Sequence, residues 1–388
     1  MFLKNYNVYV LGLIAILFVA CNPDEEPVQV IEEDYTERFT AAADNYAAIV
    51  LASYEDSYNE AVTLRDLVND FVANPTEEGF EACKNQWLAA RIPYGQTEVY
   101  RFYGGPIDDE DGPEGLINAW PMDENFIDYV EADANAGLIN DAVEYPEITK
   151  QVLMDLNEAI SEESIFTGYH AVEFLLWGQD LYADSPGLRP YTDYVDGGTA
   201  ENQDRRREYL AVVTDLLVDH LGEVKAEWES TGSNYRASFL AETKETIINR
   251  IFTALGELSK GELSGERMFV AVDSGDQENE HSCFADNTHV DIQQNFQGLV
   301  NVFNGTYIRT DGSVISGESY AALAAEINPS KATAVTTAIT SAQSAISAIP
   351  TPFDQAILNS QDKVLAAVSA LETLSDAFTD VQVDLENE

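Results

Sequence analysis

Four histidines are present in this chain, and one of them sits in a stretch able to do chemistry, "GYHAVEFLLWG" at 168–178. His170 is followed three residues later by Glu173. On a helix, positions three apart share a face, so an imidazole and a carboxylate there can reach one cation. Zinc and iron both accept histidine nitrogen and carboxylate oxygen. Carboxylate-plus-histidine pairs at this spacing, in the reverse order, line di-iron bundles. Two ligands do not make a site, and the others must come from elsewhere in the fold. The same spacing equally suits a half-buried histidine bonded to its neighbouring glutamate, so spacing alone leaves both readings open. A metallopeptidase reading meets a specific obstacle. HExxH is absent, and the inverted HxxEH fails because Phe174 stands where its second histidine belongs. A zinc peptidase would need a remote His281 or His289, and hence the two halves of the chain brought together.

The remaining reactive side chains say less. His220, in "LLVDHLGE", reads as a packing or helix-surface residue. Trp87, Trp120 and Trp177 read as core. Cys283 adjoins Ser282 but has no His/Asp arrangement at informative spacing, which argues against a thiol nucleophile. Cys83 and Cys283 form neither a CxxC pair nor a disulfide framework, and a single bridge between them stays open.

The elements that must position these residues read as helices throughout. Apolar and aromatic residues recur at helical spacing from about Tyr35 to Val72, including Tyr46, Ile49, Tyr54, Leu64 and Phe71. Asn74 is expected to cap the next helix, with Pro75 at its first position and Glu77 closing a capping box. Further helices are expected at 147–158, 163–178, 201–229 and 235–262, and from about His289. Asn328-Pro329 should open another, and a last one carries Val364, Leu371, Leu374 and Phe378. "YIRTDGSVISG" predicts a small β-hairpin turning at Asp311-Gly312. The Gly/Pro-rich loop "DLYADSPGLRPYTDYVDGGT" marks a boundary. The expected architecture is all-α: a first helical bundle over 35–190 and a second over 191–388, packed side by side.

The N-terminus has a different character. Residues 1–20 read as a signal peptide, with Lys4 ahead of the short apolar run "VYVLGLIAILFVA". The run ends at Cys21 in "LFVAC", which resembles a bacterial lipobox and implies lipidation of Cys21. Residues 21–34 read as an acidic disordered tether. These features predict a cell-envelope lipoprotein of the outer membrane, periplasmic-facing or surface-exposed. The formal net charge is −49, from 20 Lys and Arg against 69 Asp and Glu. This excludes nucleic acid as a natural partner, because no basic patch is available to neutralise phosphates.

Several segments together resemble one family. "GYHAVEFLLWG" is similar to the GxHxxE signature of the imelysin family, including its Leu-Trp-Gly continuation. "WLAARIPYGQTEVYRFYGGPID", "INAWPMDENFIDYV", "ENEHSCFADNTHVD" (with Ala285 where serine is common) and "PFD" at 352–354 resemble its other segments, in order along nearly the whole mature chain. The resemblance implies two bundle-like helical halves with a site around GxHxxE in a cleft between them. The family is catalogued among metallopeptidases, and related members belong to bacterial iron uptake, one branch serving a ferrous-iron importer. Carried over, His170 and Glu173 form the core pair, Gly168 lies beside them in the cleft, and Glu98 becomes the expected third metal ligand, with a salt bridge to Arg101 as its alternative. Arg91 would orient a carboxylate or form a helix–helix salt bridge. Ser282, Asp286, His289 and Gln293 are expected to face the cleft, Asp286 alternatively serving as a helix cap. The reading that follows is a lipid-anchored protein binding an iron or zinc ion, or a metal-bearing ligand, in iron uptake, with an outer-membrane receptor as partner. The alternatives are a zinc peptidase using Glu173 as ligand or general base, and a structural lipoprotein.

Overall fold

The first two helices form a long hairpin, α1 (Tyr35–Ala73) and α2 (Glu77–Thr97). The computed structural model describes residues 35–388, so the signal, Cys21 and tether readings lie outside the described residues. The hairpin's turn differs from expectation. The Asn74 N–H closes α1 on the carbonyls of Asp70 and Phe71. Thr76 is the cap instead, its hydroxyl accepting from the Gly79 N–H at 3.1 Å. Pro75 therefore precedes the helix rather than opening it.

The helix expected over 147–158 is confined to Lys150–Leu156 behind a Thr149 cap. The one expected over 163–178 begins only at Gly168, as α3 (Gly168–Trp177). Gly168 has φ of +81°, a value no right-handed helix interior accepts. α4 (Gln203–Glu227) matches its expectation closely. The stretch 235–262 breaks into a short helix, Tyr235–Phe239, and α5 (Lys244–Glu257), capped by Thr243. α5 then runs on as a π-helix, Leu258–Phe269, past the expected end. α6 (Thr288–Asn304) follows, then the hairpin of β1 (Thr306–Ile308) and β2 (Val314–Ser316), paired antiparallel with Tyr307 opposite Ile315. Asn328 caps α7 (Pro329–Ser347), with Pro329 first as expected, and α8 (Gln361–Asn387) ends the chain.

The architecture is all-α apart from this hairpin. α1 lies against α2 and α4, with α3 packed on α2 and α4. α8 lies against α7, α5 and the π-helix. α6 joins the two groups by packing on both α2 and the π-helix. Residues 35–388 form one compact unit whose apolar core is continuous from Phe39 to Leu385. The α2–α6 crossing is tight because small residues meet there. A Cβ on Gly298 would lie 2.7 Å from the Gln96 carbonyl oxygen, and one on Gly95 would lie 2.8 Å from Gln294 Cβ. No described helix is long and apolar enough to cross a membrane.

Candidate functional site

All ten residues of α3 are buried, which follows from its almost unbroken apolar character. Two polar side chains in such a helix must find partners inside the protein. Trp87 on α2 ties the start of α3 down, its indole N–H donating to the Tyr169 carbonyl at 3.0 Å. Gly168 permits the entry angle. Besides its positive φ, a Cβ there would lie 2.4 Å from the Ile117 carbonyl oxygen.

His170 and Glu173 pair as their spacing allows, Nδ1 to Oε2 at 2.9 Å, both fully buried. The other Glu173 oxygen accepts the Ala285 N–H at 2.9 Å, so both carboxylate oxygens are engaged. Burial drives both groups toward neutrality. It holds His170 well below the usual imidazole range, reinforced by His281 and Arg91, and pushes Glu173 well above the usual carboxylate range against the pull of Arg91. The Nε2 atom of His170 is buried without a hydrogen-bond partner.

A second imidazole lies beside the first. The His170 and His281 rings meet edge to face with centroids 4.7 Å apart, and Trp120 covers His170 at 5.0 Å. Asp291, on α6, organises this side. It contacts His281 Nδ1 at 2.8 Å and accepts from the Ser282 hydroxyl at 2.5 Å. It also takes a two-pronged contact from Arg91, Nη2 at 2.7 Å and Nε at 3.2 Å. Arg91 donates in addition to Asn118 Oδ1 at 2.6 Å, and Asn118 Nδ2 reaches His281 Nε2 at a longer 3.3 Å. Burial, together with Arg267, pulls His281 down to about 4 despite the neighbouring Asp291. Asp291 stays well below its ordinary value because Arg91 and His281 outweigh its burial. The consistent proton assignment puts Nδ1–H of His281 on Asp291 and leaves the Nε2 lone pair of the neutral ring to accept from Asn118 Nδ2. Each histidine thus has a carboxyl group at Nδ1, Asp291 ionised and Glu173 driven toward its neutral form; with Glu173 ionised, its pair would match the arrangement found behind metal-bound imidazoles.

The sequence-derived residues divide accordingly. His170, Glu173, Gly168, Arg91 and Ser282 all belong to the network. Glu173 is bonded as a positioning carboxylate rather than left free as a ligand. Glu98, the expected third ligand, is only 1% exposed, and its charge is taken up by Arg267 at 2.5 Å and Arg101 at 2.9 Å. Burial opposes ionisation of Glu98, but the two arginines hold its carboxyl down at about 2. Asp286 caps nothing. It has φ of +54°, and Asn287 occupies the cap position of α6 without a capping bond. Burial and the nearby Asp180 and Asp354 push Asp286 up to about 7. His289 and Gln293 lie on other faces of α6 from Asp291, two residues being about 200° of helix rotation. Gln293 is exposed. Asp291, Asn118 and Arg267 were not anticipated. The readable signal for Asp291 was its place on the buried stripe with Ile292, Asn295, Phe296 and Leu299, where an unpaired acid would be costly.

Outside this network the expectations for His220 and the cysteines resolve simply. His220 packs beside Glu223 at 3.1 Å. Cys83 and Cys283 are buried free thiols, and burial pushes Cys83 up to about 12. Among the described residues, no three His, Cys, Asp or Glu side chains are arranged to hold a metal ion. Any ion at the two imidazoles would complete its shell with donors of its own, such as water. A cleft of about 340 Å³ reaches His281, with Asn118, Trp120, Arg101 and Arg267 also in its walls, while His170 lies buried behind Trp120.

Comparison with known proteins gives a consistent assignment. The family model described as imelysin, a peptidase M75 grouping, matches residues 50–378. The chain is 25% identical to "Iron-regulated protein A" of Synechococcus elongatus, covering 85% of this chain and 82% of that one. It shares its fold with a Parabacteroides distasonis protein described as an iron-regulated protein A precursor, at TM-score 0.66 and 17% identity over 90% of this chain and 95% of the other. An imelysin-like protein from Psychrobacter arcticum has the same fold at TM-score 0.57 and 14% identity, over 90% and 93% of the two chains. The chain belongs to the imelysin family.

Proposed function

We propose that this protein binds a metal ion as cargo at the paired imidazoles of His170 and His281 and serves iron acquisition at the cell envelope. The observation that carries the reading is the fully buried His170 Nε2, which has no partner although Glu173 orients the ring from its other nitrogen. An unsatisfied buried polar atom costs free energy and asks for an explanation; His220 Nε2 is also unpartnered, and what sets His170 apart is the second imidazole of His281 at 4.7 Å. The printed name of the Synechococcus relative, an iron-regulated protein, agrees with iron as the cargo. Anchoring through a lipid on Cys21, which rests on the N-terminal sequence, and delivery to or from an outer-membrane receptor, which rests on the family's link to iron uptake, complete the proposal.

The geometry favours binding over peptide hydrolysis. A general base must be free to take a proton from a metal-bound water, yet both Glu173 oxygens are bonded to protein. Phe174, which displaces the second histidine of HxxEH, is buried against Phe284. The test is calorimetric titration with ferrous, ferric, zinc and cupric ions of the wild type, His170→Ala and His281→Ala. At least one ion should bind the wild type, and each variant should lose tenfold or more of that affinity, as expected for removal of a coordinating side chain. Absence of binding, or equal binding by all three proteins, would overturn the reading.

A further inference from the structure

We infer that residues 118–121 form a latch that covers both imidazoles, and that Trp120 must swing into the cleft before a ligand reaches His170. This step rests on the metal-binding reading above and adds how the paired rings are reached. One short loop carries both blocking groups. Asn118 Nδ2 lies 3.3 Å from His281 Nε2, occupying the lone pair that a ligand would use. Trp120, two residues on, covers His170 with ring centroids 5.0 Å apart. His170 is fully buried and takes no part in the cleft walls, whereas Asn118, Ala119, Trp120 and Pro121 all line them. The loop therefore lies between the cleft and the ring with the unpartnered nitrogen.

The ends of this loop are tied and its middle is not. The Asn118 N–H donates to the Glu114 carbonyl at 2.9 Å, and its side-chain oxygen accepts from Arg91 at 2.6 Å. At the far end Met122 is buried, and the Asp123 N–H donates to the Glu163 carbonyl at 2.8 Å. Among the described residues, no backbone hydrogen bond secures Ala119, Trp120 or Pro121 between these anchors. The indole itself is also loosely held. Trp87, Trp177 and Trp228 are buried, and the Trp87 N–H is bonded to a carbonyl. Trp120 is only half-buried, and its ring meets His170 and, at 5.9 Å, Phe284. A ring enclosed in a close-packed core cannot turn, but one bordering open space can. The cleft of about 340 Å³ adjoins Trp120 and leaves room for its indole. Short loops with fixed ends absorb such a motion in a few residues. Once Trp120 has moved, the ligand has only the long Asn118 contact to replace at His281.

The test uses the purified full chain as wild type, Trp120→Ala and Trp120→Phe. Diethyl pyrocarbonate, which attacks the free lone pair of an imidazole, is applied without metal, and peptide mass mapping gives the rate at each histidine. In the wild type His170 should react about tenfold or more slowly than the half-buried His289, because only the open fraction reacts. Trp120→Ala should raise the His170 rate about tenfold or more and leave His220 and His289 within about twofold. Trp120→Phe, which keeps a ring over His170, should stay near the wild type. In stopped-flow mixing with zinc ion, the wild-type association rate should level off as zinc increases, because opening becomes limiting, whereas that of Trp120→Ala should rise in proportion to zinc. His170 reacting as fast as His289 in the wild type, or no faster in Trp120→Ala, would overturn the latch. So would wild-type association proportional to zinc throughout. Should Trp120→Ala loosen the whole fold, seen as faster reaction at His220 and His289, the wild-type rates decide on the same terms. Absence of zinc binding by every variant would count against the metal reading, and the metal-free modification rates would still judge the latch.

Discussion

At the scale of single residues, the site turns on which nitrogen of each histidine is left free. Glu173 and Asp291 hold the Nδ1 side of His170 and His281; the Nε2 of His170 has no partner, and that of His281 has only the longer contact with Asn118 Nδ2, which a ligand would replace. This makes Glu173 a positioning residue, and the claim has a sharp consequence. In Glu173→Gln the amide oxygen can still accept the Ala285 N–H. The amide nitrogen, however, must donate to Nδ1 and so locks the His170 proton onto Nε2, whereas Glu173 can ionise when a metal binds and accept from Nδ1–H, freeing the Nε2 lone pair. Metal affinity should fall about 10- to 100-fold, the usual effect of losing such an outer carboxylate, with little change in thermal stability. Histidine NMR of the metal-loaded wild type and variant should report the difference in tautomer directly. A variant that binds like wild type would remove Glu173 from this role. The His170–Glu173 pair was legible from spacing, but its division of labour was not, because three-residue spacing is the same whether two side chains share a metal or share a proton. Asp291 escaped notice for a related reason. No motif marks it, and its meaning comes from Arg91, 200 positions away in sequence.

At the scale of elements, the site exists because α2 and α6 cross closely enough for Arg91 to reach Asp291. The crossing depends on Gly298, where a Cβ would lie 2.7 Å from a backbone oxygen that cannot swing aside. Gly298→Ala should therefore destabilise the protein by about 1–3 kcal/mol, the range for overpacking. It should also weaken metal binding by parting Arg91 from Asp291, measured by denaturant unfolding and titration of the same sample. An unchanged unfolding midpoint would show that the helices can separate freely. Helix periodicity was legible for α1, α4, α6 and α8, whose apolar stripes are long. Ends were less so: Thr76 displaced Asn74 as a cap, and Gly168 delayed α3, because caps and left-handed residues depend on what the neighbouring chain leaves room for. The π-helix at 258–269 has no simple periodic signal, yet it places Arg267 and Glu262 in the cleft wall.

At the scale of the whole molecule, the excess of acid sets the pH response. Burial and neighbouring carboxylates raise Asp286 and Glu278 to about 7 and Asp180 to about 6. A carboxyl raised in the folded state adds stability below its unfolded value, and that contribution is lost as pH rises through the folded value. Glu98, depressed to about 2, acts oppositely: its contribution is present above the unfolded value and lost as pH falls toward 2. The contribution of the raised carboxyls should therefore fall away between about pH 4 and 7, while His281, lowered to about 4, acts in the opposite sense between about 4 and 6.5. Asp286→Asn should raise the midpoint at pH about 8 and leave it nearly unchanged at pH about 4. A variant that follows the wild-type curve throughout would show that Asp286 does not titrate in this range. The all-α class was legible from composition and periodicity alone. The continuous core joining the two groups of helices was not, since it depends on contacts such as α6 on α2 that leave no local trace.

The most direct measurement is anomalous diffraction from crystals of the protein grown with ferrous or zinc ion. The expected result is a peak about 2.0–2.2 Å from His170 Nε2, the usual metal–imidazole distance, with His281 as the second protein donor and Glu173 still bonded to Nδ1. A well-ordered structure with no peak at these rings, and His170 bonded only to protein, would contradict the account.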